Sequence, residues 1–436
     1  MQSKITETTI KLTHKAAGSN LCETILLSAH LLDQVREGIS LTQALESPPS
    51  ENRSAAQSLT FEALRNKPKI LQALKQFLHK EIDPEVEDLF VIAISTLLKE
   101  SQNQYTAYTL VNETVNAAQK SLKTRHAKGL INAVLRRVIE NPQALEIDVL
   151  EAQYPSWWVK HLKRAYPAQL APILEANLKP AKMFLRVNSK KISKLEYISL
   201  LNDADIPILE IPQKWQKVAP YAIALQNSMP VQLLPGFKEG LLSVQDLGAQ
   251  IAAYLISPVN EEYILDACSA PGGKASHLLE LANINLDVLE IDEDRMQRVQ
   301  ENLSRLQLQA NLLIGDATHA SSWWSGKYYD AILADVPCSA TGIIRRHPDI
   351  LYLRRSADIS QLQDLQRKII VELWELLKPG GRLVFVTCSI FPQEGQLQLE
   401  WFAENLKDAL RLECLGQLLP DEWHDGFYYG MLQKKR

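Results

Sequence analysis

Residues 263–292 read YILDACSAPGGKASHLLELANINLDVLEID, and this segment decides the fold. It places a short apolar run, a glycine-containing turn, a helical pattern and a second apolar run in succession, which predicts strand, loop, helix and strand. Further along the chain, NLLIGD, YDAILADVP and GRLVFVTCS add strands, and DRMQRVQENLSRL and QLQDLQRKIIVELWELL add helices. Strands that alternate with helices predict a mostly parallel sheet covered on both faces, which is an α/β fold.

The residues that follow each predicted strand are candidates for a binding site, because ligands of such sheets lie at the carboxyl ends of the strands. Paired glycines after the first strand let a ligand approach the backbone closely, and the next helix offers free N–H groups. The loop matches neither G-x-G-x-x-G nor the P-loop, so a dinucleotide or a nucleoside triphosphate is less favoured. The loop consists of Cys268, Ser269, Ala270, Pro271, Gly272, Gly273 and Lys274.

Acidic residues end the next three strands: Glu290, Asp316 and Asp335. Glu290 lies about 20 residues after the glycine loop, where an acidic side chain can accept hydrogen bonds from ribose hydroxyls. A single acid at such a position is ordinarily a helix cap or a solvated loop residue. Three of them around one glycine loop suit a nucleoside-bearing, positively charged ligand that carries no phosphate, and S-adenosylmethionine meets that description.

Two of the five cysteines also end strands, Cys338 in DVPCSATG and Cys388 in VTCS. The five are widely spaced and form no C-x-x-C pair, so we expect reduced thiols and no metal site. Cys22 and Cys414 fit the ordinary role of a small buried apolar residue. Cys338 and Cys388 lie beside the acidic strand ends instead, where a thiolate is a strong nucleophile.

A pair of thiols beside a methyl-donor site indicates methylation of carbon. The C5 atom of a pyrimidine is too electron-poor to attack a methyl group until a nucleophile adds at C6. After methyl transfer, C5 must lose its proton so that the nucleophile can leave, which requires a base near the second thiol. Two thiols and one carboxylate serve that sequence of steps, and methylation of nitrogen or oxygen needs neither thiol.

The pattern of predicted helices and strands divides the sequence into three regions: an all-α region at 1–145, a small α+β connector at 146–240 and the α/β domain at 241–436. Helical periodicity runs from about Ser19 to Asn141, with a break at Ser47-Pro48-Pro49-Ser50. Helices are predicted at 85–99, 108–120 and 126–140. In the connector, Trp157 and Trp158 lie in a helical pattern and are predicted to be core residues.

Composition limits the class of protein. With 46% apolar and 22% charged residues, the chain is typical of globular proteins rather than disordered or membrane-embedded ones. The start, MQSKITETTIKLTHK, lacks the apolar stretch of a secretory signal, so a cytoplasmic location is expected. The net charge is −4, so binding to nucleic acid must rest on local basic runs, which occupy 120–137, 160–191 and 345–355.

The motifs CSAPGGK, ADVPCSATG, RRHPDI and TCS resemble those of the RNA cytosine-C5 methyltransferases of the NOL/NOP/Sun group. GLINAVLRR, YPSWWVKHL, LRVN, LPGF and VQDLGAQ extend the resemblance over nearly the whole chain, toward members that act on small-subunit ribosomal RNA. The helical region is similar to the NusB antitermination factor. The resemblance implies a Rossmann-like methyltransferase domain preceded by a NusB-like all-α domain and the connector.

Carried over by position, the resemblance implies that residues 268–274, Glu290, Asp316 and Asp335 bind the cofactor or line the base pocket. It makes Cys388 the nucleophile and gives Cys338 a role in breaking down the covalent RNA adduct. Asp335 is expected to hydrogen-bond the cytosine and stabilise its N3-protonated form. This chain has Glu290 where relatives commonly carry Asp, and Cys-Ser-Ala where Cys-Ala-Ala is common.

The sequence therefore predicts a 16S rRNA (cytosine-C5)-methyltransferase that uses S-adenosylmethionine. The expected partner is 16S ribosomal RNA, unassembled or within a partly assembled small subunit, and a monomer with no membrane association is expected. Two alternatives remain open at this stage. One is a tRNA cytosine-C5 methyltransferase, since the catalytic motifs are shared, and the other is an RNA-binding, antitermination-like scaffold.

Overall fold

The computed structural model describes residues 21–46, 52–98, 105–147 and 150–436, which form two compact units that divide after Gln153. The N-terminal stretch MQSKITETTIKLTHK and the break Ser47-Pro48-Pro49-Ser50 lie outside the described residues. Among the helices in these ranges, none is both long and apolar enough to cross a membrane.

The first unit is helical throughout its described residues, as the 3.6-residue periodicity predicted. Its centre is α4, in which the residues from Leu89 to Ile94 are fully buried, so this helix contributes on every side to the core. The helix predicted at 126–140 begins as a 3₁₀ turn at Arg125–Ala127. The α-helices are α1 Leu21–Arg36, α2 Leu41–Ala44, α3 Arg53–Leu74, α4 Pro84–Leu98, α5 Ala107–Lys120 and α6 Lys128–Glu140.

The second unit begins with a small antiparallel sheet of four strands in the order β2-β3-β1-β4. Helix α9 starts with a capping box between Ser193 and Glu196, which satisfies the first N–H groups of the helix. The elements of this part are α7 Ser156–Ala165, α8 Leu170–Leu178, β1 Phe184–Val187, α9 Lys194–Asp203, β2 Ile208–Leu209, α10 Gln213–Val218, β3 Ala222–Leu225 and β4 Leu242–Val244.

The remainder of the unit is built on a seven-stranded sheet in the order β10-β11-β9-β8-β5-β6-β7. The five strands from β9 to β7 pair in parallel, whereas β11 pairs antiparallel with both of its neighbours. The elements are α11 Leu247–Ile256, β5 Tyr263–Ala267, α12 Gly273–Leu281, β6 Asn285–Glu290, α13 Glu293–Leu306, β7 Asn311–Ile314, β8 Tyr329–Asp335, α14 Ile350–Leu353, α15 Ser356–Glu375, β9 Leu377–Thr387, α16 Gln396–Asn405, β10 Ala409–Leu418 and β11 Phe427–Lys434.

Helices cover both faces of this sheet. Residues of α11, α12 and α13 pack on one face, and residues of α15 and α16 pack on the other. Burial on both faces explains why β5 is apolar along most of its length, since all five of its residues are buried. The predicted α/β class is confirmed. From β5 the chain adds β6 and β7 on one side and then β8 and β9 on the other, so the order of strands reverses between β5 and β8 and leaves a crevice at their carboxyl ends.

Candidate active site

The glycine loop links β5 to α12. Gly272 has a φ of +85° and is the N-cap of α12, and a Cβ at this position would lie 3.0 Å from Cγ1 of Val299. Both the left-handed backbone and the tight contact require glycine there. The Oγ of Ser269 donates a hydrogen bond of 2.6 Å to the buried Asp266, which ties the loop back to its strand.

A cavity of about 370 Å³ opens at the carboxyl ends of the strands. Seven predicted site residues line it, and Ser269, Pro271, Gly272, Gly273 and Lys274 belong to the same loop without lining it. The sheet therefore brings together residues that are up to 120 positions apart in the chain. The predicted residues in the wall are Cys268, Ala270, Glu290, Asp316, Asp335, Cys338 and Cys388.

Glu290 is 2% exposed, and both of its oxygens are engaged. One carboxylate oxygen accepts a hydrogen bond from the N–H of Ala270 (3.2 Å), and the other accepts one from the N–H of Ile291 (3.1 Å). Arg295 forms an ion pair with it at 3.2 Å. The longer side chain thus fixes the glycine loop while it contributes to the wall of the cavity.

Asp316 stands at the open side of the cavity, where its side chain is 43% exposed. The backbone N–H of Thr318 donates to its carboxylate at 2.8 Å and lowers the pKa of Asp316.

Asp335 forms an ion pair with Lys274. Burial lowers the pKa of Lys274, but the charge and hydrogen bond of Asp335 outweigh that effect, and the pKa is raised. The lysine therefore stays protonated and offsets one negative charge in the wall.

The two thiols of the crevice are in contact. Sγ of Cys338, three residues beyond β8, lies 3.4 Å from Sγ of Cys388, the residue after β9. The hydrogen bond with Cys388, together with burial, raises the pKa of the Cys338 thiol. Cys338 therefore keeps its proton at neutral pH, and its S–H can donate a hydrogen bond to the sulfur of Cys388. No disulfide bond joins any of the five cysteines, all of which lie in the described part of the chain.

Glu394 joins the two loops that carry these thiols. Its buried carboxylate accepts hydrogen bonds from the N–H of Ser339 (2.8 Å) and the Oγ of Ser389 (2.7 Å), the residues that follow Cys338 and Cys388. The Oγ of Ser339 also donates to this carboxylate, and Nε2 of Gln366 in α15 adds a fourth donor at 3.2 Å. Burial raises the pKa of Glu394, against the effect of these hydrogen bonds. One side chain therefore fixes the relative position of the two loops.

A second set of contacts holds the loop after Cys338. The N–H of Gly342 donates a hydrogen bond to the carbonyl of Cys388 at 2.8 Å. The carbonyl of Gly342 in turn accepts a hydrogen bond from the N–H of Gly426 at 2.8 Å. A Cβ on Gly342 would overlap the carbonyl of Gly426, so glycine is required. Arg345 and Arg346 both pair with the buried Asp425, so these two arginines of the basic run 345–355 stabilise the loop.

Sequence analysis missed three contributors to the site: Glu394, Arg295 and the wall formed by Leu365 and Ile369 of α15. Arg295 lies in the first turn of α13, five residues after Glu290 at the end of β6, and this nearness in sequence could have indicated a partner for Glu290. Glu394 carried no comparable signal, because its partners come from two distant loops. In the described ranges, no group of histidine, cysteine and acidic residues is arranged to hold a metal ion.

The acidic wall of the cavity disfavours a phosphate and attracts a sulfonium, so the fold and the crevice define the class of S-adenosylmethionine-dependent methyltransferases.

Profiles of known protein families match three successive parts of the chain. Residues 24–140 match the NusB family, and residues 154–232 match the ferredoxin-like domain of RsmF/B-like methyltransferases. Residues 253–433 match 16S rRNA methyltransferase RsmB/F, and the chain belongs to that family.

The similarity to individual relatives covers nearly the full chain. Ribosomal RNA small subunit methyltransferase B of Vibrio cholerae is 40% identical over 414 residues, which are 91% of this chain and 94% of the relative. The protein of the same name from Proteus mirabilis is 38% identical, with 93% and 96% covered. A solved methyltransferase homolog from Pyrococcus horikoshii aligns with a TM-score of 0.57 at 26% identity, with 64% of this chain and 95% of that chain covered.

Proposed function

We propose that this protein methylates C5 of a cytosine in 16S ribosomal RNA, with Cys388 as the nucleophile and Cys338 as the residue that completes turnover. The observation that carries the proposal is the contact between the two thiols at the mouth of an acidic, glycine-bounded cavity. Methylation of an electron-poor carbon needs a nucleophile and assistance in its elimination, which the pair can supply, whereas methylation of a nitrogen or oxygen needs neither. The names of the relatives at about 40% identity support ribosomal RNA as the substrate.

The residues of the cavity fit S-adenosylmethionine. We assign its binding to residues 268–274, Glu290, Asp316 and Asp335, whose carboxylates suit ribose hydroxyls and a positive charge. The cofactor supplies a methyl group activated by attachment to a sulfonium. Arg295 and the glycine loop hold Glu290 in place, and the apolar residues Leu365 and Ile369 of α15 limit the access of water.

Attack on the base begins with the thiolate of Cys388. Its sulfur adds to C6 of the cytosine, a C6–S bond forms, and the electron pair of the C5–C6 bond becomes available at C5. N3 takes up a proton from solvent as the ring gains electrons, and Asp335 accepts a hydrogen bond from the resulting N3–H, which stabilises the electron-rich intermediate. The S–H of Cys338, 3.4 Å from the attacking sulfur, donates a hydrogen bond that helps to orient it.

Turnover requires the reverse of the first step. After C5 has gained the methyl group, its proton passes to a base and the proton on N3 returns to solvent. The C5–C6 double bond then re-forms, and the electron pair of the C6–S bond returns to Cys388. We assign assistance in this elimination to Cys338, because its sulfur is the closest thiol group to that of Cys388 in the described chain. The reaction restores both thiols.

The target base must leave its stack to enter the crevice, so RNA that is free or partly assembled is the substrate we propose. We assign the helical residues 1–145 and the connector 146–240 to RNA positioning through phosphate contacts, and 241–436 to catalysis. The enzyme would act as a monomer in the cytoplasm, where ribosomal RNA is assembled into subunits.

Transfer of labelled methyl from S-adenosylmethionine to unmodified 16S RNA, followed by nuclease digestion and identification of the nucleoside, tests the proposal. We expect 5-methylcytidine at one position. Purified tRNA is the comparison substrate, because the catalytic motifs are shared with enzymes that act on tRNA. Faster incorporation into tRNA would overturn the assignment of ribosomal RNA, and a methyl group on a nitrogen or an oxygen would overturn the role of the thiols.

A further inference from the structure

A second open site lies on the same unit, beside the loop that carries Cys388. It is a groove of about 680 Å³ lined by Trp157, Lys160, His161, Arg164, Ser356 and Gln393, which we call the α7 groove. Lys160 and Arg164 are exposed and lie one helical turn apart on α7. Within the described ranges, no aspartate or glutamate contributes to the lining, so the groove has a net positive charge.

The groove also contains an aromatic side chain that is open to solvent. We predicted Trp157 and Trp158 as core residues; Trp158 is fully buried, but Trp157 is half-buried, so that prediction was wrong for Trp157. The reason is that α7 buries only one stripe, and Trp157 lies at its edge. Its ring packs against Phe391 with a centroid distance of 5.9 Å, which holds it in a fixed orientation.

The wall opposite α7 belongs to the segment that starts at Cys388. Phe391 is fully buried between the aromatic rings of α7, and Gln393 is five residues from the proposed nucleophile. Because a residue spans at most about 3.6 Å, the Cα of Gln393 lies within about 18 Å of the Cα of Cys388. The N–H of Phe391 donates to Oγ of Ser389 at 3.1 Å, so the segment between the two sites is held.

We propose that the α7 groove binds the single-stranded RNA next to the target cytosine, with Lys160 and Arg164 on phosphates and Trp157 stacked on a base. Paired cations and an aromatic face are the combination that recognises single strands independently of sequence. This inference rests on the proposed function, and it adds the path by which the RNA strand leaves the catalytic crevice. An acidic peptide is disfavoured, since it would leave the aromatic face unused.

The test compares the double variant Lys160→Gln/Arg164→Gln with the wild-type protein for binding of an unmodified 16S RNA transcript over a range of salt concentrations. Loss of two phosphate contacts should reduce the slope of log Kd against log salt by about 1.4 and weaken binding by about tenfold or more at 0.1 M salt. The double variant Lys407→Gln/Lys435→Gln removes the same charge from exposed positions outside the groove and should change neither quantity.

A photo-crosslinking residue at position 160 provides a measurement that does not depend on charge. We expect it to crosslink to nucleotides that flank the methylated cytosine, and one at position 407 not to. If the wild-type protein methylates 16S RNA but the groove variant keeps the wild-type slope and position 160 gives no crosslink, the groove proposal is wrong and the proposed function stands. If the wild-type protein transfers no methyl group while the slope changes as expected, the proposed function is wrong, and the groove is an RNA-binding site with no target cytosine beside it.

Discussion

Sγ of Cys338 lies 3.4 Å from Sγ of Cys388, although fifty residues separate them in the chain. Cys338 lies three residues beyond the end of β8, and Cys388 follows β9 directly. These two strands are neighbours in the sheet and pair in parallel. Parallel pairing brings equivalent ends of two strands to one edge, so the contact is a consequence of sheet topology. The two sulfurs are thereby close enough to share one proton.

Substitution of the two cysteines should have different effects on the covalent protein–RNA intermediate. Cys388→Ala removes the group that attacks C6, so we expect no methyl transfer and no RNA adduct. Cys338→Ala leaves the attack intact but impairs elimination, so a covalent protein–RNA complex should accumulate and be visible by denaturing gel electrophoresis. Cys414→Ala is the matched control and should turn over normally. An adduct in the Cys388 variant instead would show that the two roles are exchanged.

Glu394 should control the geometry of the thiols without contact to the substrate. Glu394→Ala leaves the donors of Ser339, Ser389 and Gln366 without their buried acceptor, and we expect a loss of about 3 kcal/mol in the free energy of unfolding. Glu394→Gln keeps one acceptor oxygen and should lose far less.

Urea unfolding and kcat, with cofactor affinity measured in parallel, distinguish these variants. We expect kcat of Glu394→Ala to fall at least tenfold while the affinity for S-adenosylmethionine stays near that of the wild-type protein. Glu404→Gln, at an exposed position on α16, is the control. Equal kcat values for Glu394→Ala and wild type would contradict the positioning role.

A buried ion pair connects the small sheet to the glycine loop. Arg186 of β1 is fully buried and pairs with Glu280 of α12 at 2.7 Å, and it also donates to the carbonyl of Gly273 at 2.8 Å. Arg186→Met would leave a buried carboxylate unpaired, and we expect a loss of about 3–5 kcal/mol in unfolding free energy and a weaker affinity for the cofactor. Adding Glu280→Leu should recover much of the stability.

An exposed ion pair serves as the matched control for the buried pair of Arg186 and Glu280. Lys378 and Asp330 form an ion pair at 2.6 Å with side chains that are 42% and 29% exposed, so Lys378→Met should cost at most about 1 kcal/mol. Denaturant unfolding of both variants and calorimetry with S-adenosylmethionine provide the comparison. Equal losses for the two pairs would mean that burial does not set the cost.

Asp266 should make stability depend on pH. Burial raises the pKa of Asp266 to about 7, while its ordinary value is 3.8. Below pH 4 both the folded and the unfolded chain hold the proton. As the pH rises from about 4 to 7 the unfolded chain loses its proton first, so the stability of the folded state falls, by an amount on the order of 4 kcal/mol.

Asp266→Asn is neutral at every pH and should not show this fall. The measurement is the difference in unfolding free energy between variant and wild type at pH 4.5 and pH 7.5, and we expect the variant to gain relative stability at the higher pH. Asp294→Asn, an exposed residue of α13, should show no such trend. A constant difference across this range would contradict a raised pKa for Asp266.

Much of this architecture could be predicted from local patterns. The apolar runs YILDA, LDVLE and YDAILAD become β5, β6 and β8, because burial on both faces demands continuous apolar sequence. The antiparallel strands β10 and β11 were not predicted. Residues of β10 are for the most part exposed or half-buried at the edge of the sheet, so its sequence lacks the apolar run by which the central strands were found.

The sequence by itself determined the α/β class, the helical first unit, the glycine loop, and the two thiols and three acids that line the cavity, because each depends on periodicity or on a motif. Only the tertiary structure decided that Glu394 joins both thiol loops, that Lys274 pairs with Asp335, and that Trp157 faces an open groove. These relationships join residues that are far apart in sequence, and their energies depend on burial and distance, which exist only once the chain has folded.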